Sequence, residues 1–312
     1  MKGLILAVAL PALYWPHGVE TAPALERAGI RRLAVPPAQV EAWRRKGLDA
    51  VAASESDLAS REVLPAPGMA ARVELASATR SPWIVANGWR FLRDPGLRCS
   101  YELPLGRAAM AAAEAYAYGV DAVLRIEEAD LAALGEVLSV ARQAPEADLP
   151  PRADFALVDD GSALVGEVMN LLVRRNLLFE VADAPSPRFE MNVVIGGAAF
   201  PQEAAEDPSA FALKIRRRIT DEKRTLRLYG SEAVVGRLTG DLGHVRLHLL
   251  NYGGGKIDGL RVRLLGEFPE AVAYVAGRGR VELQDHDVAA GATEFSIPVM
   301  GVYAVVDLFA GR

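Results

Sequence analysis

The sequence predicts a multidomain chain, two α/β units followed by an all-β unit, and three observations carry that reading. Residues 1–145 alternate apolar β-like runs with amphipathic helices, which is the pattern of a mostly parallel sheet with helices packed on it. The stretch 144–152 (APEADLPPR) gathers prolines and charges as a linker does. From Ser231 onward the hydrophobic period becomes two, and short alternating runs separated by glycine turns read as a β-sandwich. The expected boundaries are 1–147, 148–230 and 231–312.

In the first unit, residues 30–35 (IRRLAV) form a strand stopped by Pro36-Pro37, which open a helix over 38–46. Gly47 stands where a helix C-cap glycine belongs, and 48–53 (LDAVAA) is the next strand. Ser54 caps the following helix, with Asp57 three residues on. Residues 71–76 and 83–87 read as two more strands. An alanine-rich helix over 107–118 ends at Gly119, followed by a strand over 121–126 and a helix over 130–142. The second unit has strands at 154–158, 177–182, 191–195 and 226–229, the last closing it. Its helices cover 163–175, with Asn176 as cap, and 209–219, with Asp207-Pro208 as N-cap and N1 proline. That is a small flavodoxin-like arrangement. In the third unit, 244–249 (HVRLHL) and 260–265 (LRVRLL) alternate strictly, joined by a hairpin loop over 251–256. Four further strands fall at 272–276, 280–284, 293–297 and 302–308.

Composition narrows the function classes. The chain has 312 residues, 51% hydrophobic and 24% charged, which suits a folded protein with ample core. A net charge of −5 argues against nucleic-acid binding, and no apolar run reaches the length of a membrane span. The single cysteine, Cys99, excludes an intrachain disulfide, and it reads as a core filler rather than a nucleophile. Four histidines leave little for a metal site; His244 and His248 alternate on one strand face, read as an exposed polar face. Glycine-rich Gly196-Gly197 and 253–255 do not join a strand to a helix, so no dinucleotide or other cofactor is expected. The basic cluster Lys214, Arg216, Arg217, Arg218, Lys223, Arg224 and Arg227 reads as a solvated face. Residues 1–13 (MKGLILAVALPAL) fit either a shortened export signal or a buried first strand, so a cytoplasmic and an exported location both stay open.

The layout, with the closing motifs RLHLLN (246–251), FSIP (295–298) and YAVV (303–306), resembles the glycosidase clan that includes the family 42 β-galactosidases. The resemblance implies a catalytic barrel, an amidotransferase-like trimerisation domain and a small C-terminal β-domain. It also implies a carbohydrate ligand and a homo-oligomer formed through the middle domain. A complete (β/α)8 barrel takes about 250 residues, and only some 145 precede the linker, so the first unit is expected to be a truncated or degenerate barrel-like domain, or another α/β fold.

Glycoside hydrolysis needs two carboxylates at a spacing set by its stereochemistry, just beyond the C-terminal ends of strands. The candidates are Glu55 and Asp57 after one strand and Glu127, with Glu128, after another. Each pair also reads as the acidic first turn of a helix. For sugar contacts the candidates are Trp15 with His17 and the run Asn87-Gly88-Trp89-Arg90, with Tyr101 and Glu102, in a loop rich in Pro and Gly, closing over such a cleft. Indoles stack on pyranose faces, while Asn and Arg bind hydroxyls in pairs. The tryptophans serve equally well as plugs of a core or a domain seam. A non-catalytic sugar-binding or assembly protein on the same scaffold is the competing expectation.

Overall fold

The computed structural model describes residues 10–70, 83–145 and 149–311; the strand expected over 71–76 lies outside them. The first unit contains β1 (Ala12–Tyr14), β2 (Arg32–Val35), β3 (Asp49–Ala52), β4 (Glu62–Val63), β5 (Gly68–Met69), β6 (Ile84–Val85), β7 (Arg98–Glu102) and β8 (Asp121–Arg125). Its helices are α1 (Ala22–Arg27), α2 (Val40–Arg45), α3 (Glu55–Ala59), α4 (Gly88–Arg93), α5 (Ala108–Tyr118) and α6 (Leu131–Gln143). Six strands form one sheet in the order β3-β2-β1-β8-β7-β4, and every pairing in it is parallel. Local chemistry sets the boundaries as expected. The Asp57 N–H donates to Ser54 Oγ at 3.1 Å, and Gly47 and Gly119 take φ of +81° and +68° at helix ends, where a Cβ would be strained.

Strand alternation sends Leu13, Leu33, Ala50, Cys99, Tyr101 and Leu124 into the buried cluster shared with α1, α2, α5 and α6. Tyr14, Ala34 and Val123 face the other way, where Leu58 of α3 packs on them. Helix α5 is buried from Ala108 to Ala117. Its alanines let neighbouring elements approach on all sides, as in a helix that is apolar all round.

Two expectations for this unit are corrected. Residues 83–87 do not enter the main sheet: β6 pairs antiparallel with β5 in a separate ribbon, so this run ends at no parallel-sheet edge. Conversely Tyr101 and Glu102 are not in a loop but end β7, a full member of the sheet. Its sequence RCSYE, between Pro95-Gly96 and Pro104, has too little apolar character to announce a strand.

The middle unit has β9 (Phe155–Val158), α7 (Ala163–Arg174), β10 (Phe179–Ala182), β11 (Asn192–Val193), α8 (Gln202–Ala205) and α9 (Pro208–Ile219). The strands form a parallel sheet in the order β10-β9-β11. Ser162 caps α7 and Asp207 caps α9, accepting from Val165 N–H at 3.2 Å and Ala210 N–H at 2.9 Å. The basic cluster lies largely on the outer face of α9 and just beyond it; Arg224 departs from this, buried between Asp221 and the carbonyls of Arg175 and Asn176.

The third unit comprises β12 (Leu226–Tyr229), β13 (Val234–Gly240), β14 (His244–Asn251), β15 (Ile257–Leu265), β16 (Glu270–Val275), β17 (Gly279–Val281), β18 (Gln284–Ala289), β19 (Ala292–Met300) and β20 (Tyr303–Phe309). Two antiparallel sheets, β12-β15-β19-β18 and β13-β14-β20-β16-β17, share one buried cluster that includes Val262, Phe295 and Ile297 from the first and Leu247, Leu249 and Val306 from the second. Strand β12 therefore does not close the middle unit: it pairs antiparallel with β15, and the all-β unit begins at Leu226. Nor is 251–256 a hairpin. β14 pairs with β13 and β20, whereas β15 pairs with β12 and β19, so this loop crosses between the sheets.

The three units are closely joined. Arg93 of α4 makes a two-pronged ion pair with Asp159 at 2.8 and 2.7 Å. Asn176 receives Gly236 N–H at 2.6 Å and donates to the Val234 carbonyl at 3.0 Å. Past the linker, Gly240 N–H donates to the Pro150 carbonyl at 2.7 Å and Arg152 N–H to the Leu238 carbonyl at 3.0 Å. The main apolar cluster runs from Leu13 through Phe155 to Tyr252 and Tyr303, crossing all three.

Candidate functional site

Because the first sheet is parallel, the C-terminal ends of its strands share one edge, the usual place for a site in α/β proteins. Tyr14 ends β1, Arg125 ends β8 and Glu102 ends β7, three adjacent strands. Alternation places all three side chains on the face opposite the cluster packed by α1, α2, α5 and α6. The Arg125 guanidinium lies 5.0 Å from the centre of the Tyr14 ring and pairs with Glu102 at 3.2 Å. His17 and Glu127, both exposed, follow β1 and β8 at the same edge. Glu127 starts the single helical turn Glu128–Asp130, while buried Asp130 turns back to accept Gly106 N–H at 2.9 Å. Tyr14, Glu102 and Arg125 thus form the polar rim that the edge presents. Tyr14 and Arg125 were missing from the sequence-based candidates, because only strand register reveals that they share a face.

The candidate carboxylates do not come together as a catalytic pair. Asp57 binds Arg98 at 2.8 Å and Arg61 at 3.6 Å, and both arginines also bind Asp121. Asp121 begins β8 and Glu127 follows its end, six residues of nearly extended chain or about 20 Å away. Paired glycosidase carboxylates stand within about 10 Å. Two residues apart on α3, Glu55 and Asp57 do not face each other. Glu55 follows β3, three strand spacings or about 14 Å along the sheet from Glu127. Asp57 is therefore an ion-pair partner at the opposite edge; its two arginines hold the start of β7 and β8.

The aromatic and amide candidates are also placed differently. Trp15 is fully buried, its Nε1–H donating to Thr21 Oγ1 at 2.8 Å, with the His17 ring edge-on at 4.5 Å. Trp89 lies in the seam between the first two units, where a Cβ on Gly166 of α7 would come within 3.0 Å of its ring. Arg90 covers that indole at 4.5 Å and pairs with Glu62 at 3.7 Å. Asn87 and Tyr101 are fully buried, so neither offers a surface to an oligosaccharide.

Both serve Glu114, the one acidic residue of α5, which is fully buried. Oε1 accepts from Asn87 N–H and from Tyr252 O–H, each at 2.6 Å. Oε2 accepts from Asn87 Nδ2 at 3.1 Å and from Tyr101 O–H at 3.3 Å. Burial pushes the carboxyl pKa up, and these four donors work against that shift. Tyr252 belongs to the crossing loop of the all-β unit, so Glu114 ties that unit to the first. A sequence signal existed: a lone carboxylate in a helix of alanines must be buried and paired.

The face carrying His244, Arg246 and His248 is not exposed as expected. It packs toward α5, with Arg246 and His248 buried. Arg246 binds Asp307 at 2.8 and 2.9 Å, His244 Nε2 reaches Asp307 at 2.9 Å, and His248 Nδ1 contacts the Tyr303 hydroxyl at 2.7 Å. Burial, then the charges of Arg246 and Arg237, lower the His248 pKa to about 3. A folded-state pKa below the ordinary 6.5 contributes stability that is complete above pH 6.5 and lost as pH falls toward 3. Between pH 7.5 and 4.5, His248→Gln should therefore lose roughly 2–3 kcal/mol less unfolding free energy than the wild-type chain. Denaturant titrations at the two pH values check this; equal losses would show that His248 does not titrate against folding.

Cys99 is fully buried in β7, and burial drives its thiol pKa to about 12, the opposite of an activated nucleophile. Among the described residues no group of three His, Cys, Asp or Glu could hold a metal, and no helix is long and apolar enough to cross a membrane.

The chain matches an α-L-fucosidase, isoenzyme 2, from Paenibacillus thiaminolyticus with a TM-score of 0.51 at 10% identity, over 88% of this chain and 70% of the other. Its structural neighbours are glycoside hydrolases. A β-galactosidase from Rahnella sp. R3 matches at TM-score 0.42 and 10% identity, over 72% of this chain and 56% of that one. A GH42 β-galactosidase from G. stearothermophilus matches at 0.37 and 9%, over 75% and 52%. No protein-family model matches the sequence. No curated protein matches it either.

Proposed function

We propose that this chain is a carbohydrate-binding protein on a glycosidase-type scaffold, engaging sugar at the C-terminal edge of its parallel sheet. The likeness in fold to the fucosidase supports the scaffold. So does the strand order: taken cyclically, β1-β2-β3 then β4-β7-β8 follows the chain, as in a wound barrel with six strands, opened between β3 and β4. The order β10-β9-β11 is that of the first three strands of a flavodoxin-like sheet, in keeping with an amidotransferase-like middle domain through which copies associate. The observation that carries the functional reading is the cluster Tyr14, Glu102 and Arg125 on one face of the sheet edge, flanked by His17 and Glu127. An aromatic ring beside paired donors and acceptors is the chemistry that holds a polyhydroxylated ring.

Hydrolysis is the second reading, and one observation favours it. Glu102 sits opposite Arg125 in the register, and Glu127 lies two residues on. Their backbones are then about 8 Å apart by strand geometry, within reach of paired-carboxylate chemistry. An oligosaccharide array combined with a panel of aryl glycosides tests both readings. Binding that weakens about tenfold in Tyr14→Ala, without turnover, is the expected result. Turnover that falls at least a hundredfold in Glu127→Gln would install hydrolysis instead. Neither binding nor turnover would refute the carbohydrate reading.

A further inference from the structure

At the opposite end of the first unit, away from this edge, a cavity of about 390 Å³ opens between all three units. That is a ligand-sized volume. Its walls are largely apolar and aromatic: Phe91 from the end of α4, Tyr118 from the end of α5 and Phe179 from β10. The all-β unit supplies the polar side. In the β13–β14 register Arg237 lies opposite His248, and Thr239 opposite Arg246, so alternation points these four toward the same space.

The charges there do not balance. Arg246 is satisfied by Asp307. On the rim, Glu180 is satisfied by Arg188. Buried His248 is held neutral. Arg237 has no hydrogen-bond or ion-pair partner among the described residues, and its Nε is sealed from solvent. Among the described residues its one favourable contact is the Tyr118 ring, with the guanidinium 5.2 Å from the ring centre. A cation–π contact of that kind contributes about 0.5–2 kcal/mol; Arg237 is half-buried, and its two terminal nitrogens are left unpaired on the cavity side. Arg237 also keeps its charge at any ordinary pH, so it cannot escape by losing a proton.

We infer that this cavity is a binding site for a small organic anion: a carboxylate gripped by Arg237, with an apolar or aromatic body lying among Phe91, Tyr118 and Phe179. The planar guanidinium fork suits a carboxylate in two-pronged geometry. Thr239 and the free Nε2 of His248 offer further polar contacts beside it. Because the cavity wall draws on all three units, an occupant would also brace them against one another.

The test uses the full-length protein with benzoate, phenylacetate and octanoate as probes, the corresponding amides as neutral counterparts, and glucuronate as a polar anion. Expected is saturable binding of at least one apolar carboxylate by calorimetry, with a raised melting temperature. The amide of that probe should bind at least tenfold more weakly. Arg237→Met keeps the side-chain length and removes the charge. It should abolish binding while leaving the melting temperature unchanged or higher. The proposal is overturned by any of four results: no probe binding at millimolar concentration, amides binding as well as acids, glucuronate alone binding, or Arg237→Met retaining affinity. A melting temperature several degrees lower in Arg237→Met would also overturn it, since a carboxylate of the chain itself would then already satisfy the arginine.

Discussion

Glu114→Ala should lower the unfolding free energy by about 3–5 kcal/mol, which for a protein of this size is a drop of roughly 10 °C in melting temperature. The size follows from what the truncation strands. Two phenol hydroxyls, one backbone N–H and one side-chain amide converge on the two carboxyl oxygens, and all of these partners are buried. No solvent reaches them to replace the lost acceptor, so each bears a desolvation penalty. The loss should also loosen the attachment of the all-β unit, because Tyr252 reaches Glu114 from the loop that crosses between its sheets. Protease cleavage in 251–256 should therefore speed up in the variant. Glu114→Gln separates packing from charge. It fills the same space but turns an amide toward donors, so it should cost less than alanine. The Glu114 pKa is raised in the fold, which makes its contribution complete below the ordinary carboxylate pKa and smaller as pH rises past it. The stability gap between wild type and Glu114→Gln should accordingly narrow from pH 4 to pH 8. An alanine variant as stable as the wild type would show that the cluster does not hold the units together.

Helix caps and turn glycines act locally, so Ser54, Asp207, Gly47 and Gly119 could be placed from sequence alone. Strand alternation is also local, and it marked His244 and His248 as sharing a face. What lay opposite that face was not local. The exposed reading failed because α5, more than a hundred residues earlier, covers it. The same blindness applied to Asn87 and Tyr101. Their side-chain chemistry suits a sugar hydroxyl and a buried carboxylate equally well, and only the position of Glu114 decides between them. For Trp89 the deciding neighbour is Gly166, whose missing side chain makes room for the indole. The two-residue strands β4, β5 and β6 were hard to place for a different reason. β6 holds two residues and takes its partner from β5 rather than from the main sheet, and no period can be read over so short a run. β12 was recognised as a strand but given to the wrong sheet, because pairing with β15 depends on a partner about thirty residues away.

Asp307→Ala should be comparably costly, at about 3–5 kcal/mol, because it leaves Arg246 charged, buried and without its partner. Asp307 sits in β20 almost wholly shielded from solvent and takes both prongs of the Arg246 guanidinium, with His244 Nε2 as a third contact. Burial opposes the charge on Arg246, but the bonds to Asp307 outweigh it and leave the arginine pKa raised. Arg246 also donates to the Pro145 carbonyl at 2.7 Å, so the pair fixes the start of the linker against the β13–β14 face. Removing both charges should be far milder than removing one. The double variant Arg246→Leu with Asp307→Leu replaces a buried ion pair by apolar groups, an exchange often close to neutral. A double-mutant cycle should give a coupling energy of at least about 2 kcal/mol between the two positions. The pair should also matter for the cavity beside it: with Asp307 gone, Arg246 becomes a second unpaired cation next to Arg237. Asp307→Ala should then bind a carboxylate probe more tightly than the wild type despite being less stable. Tighter binding in a weaker protein is hard to obtain from general loosening, whereas unchanged affinity together with additive single-site losses would show that Arg246 and Asp307 act independently of each other and of the cavity.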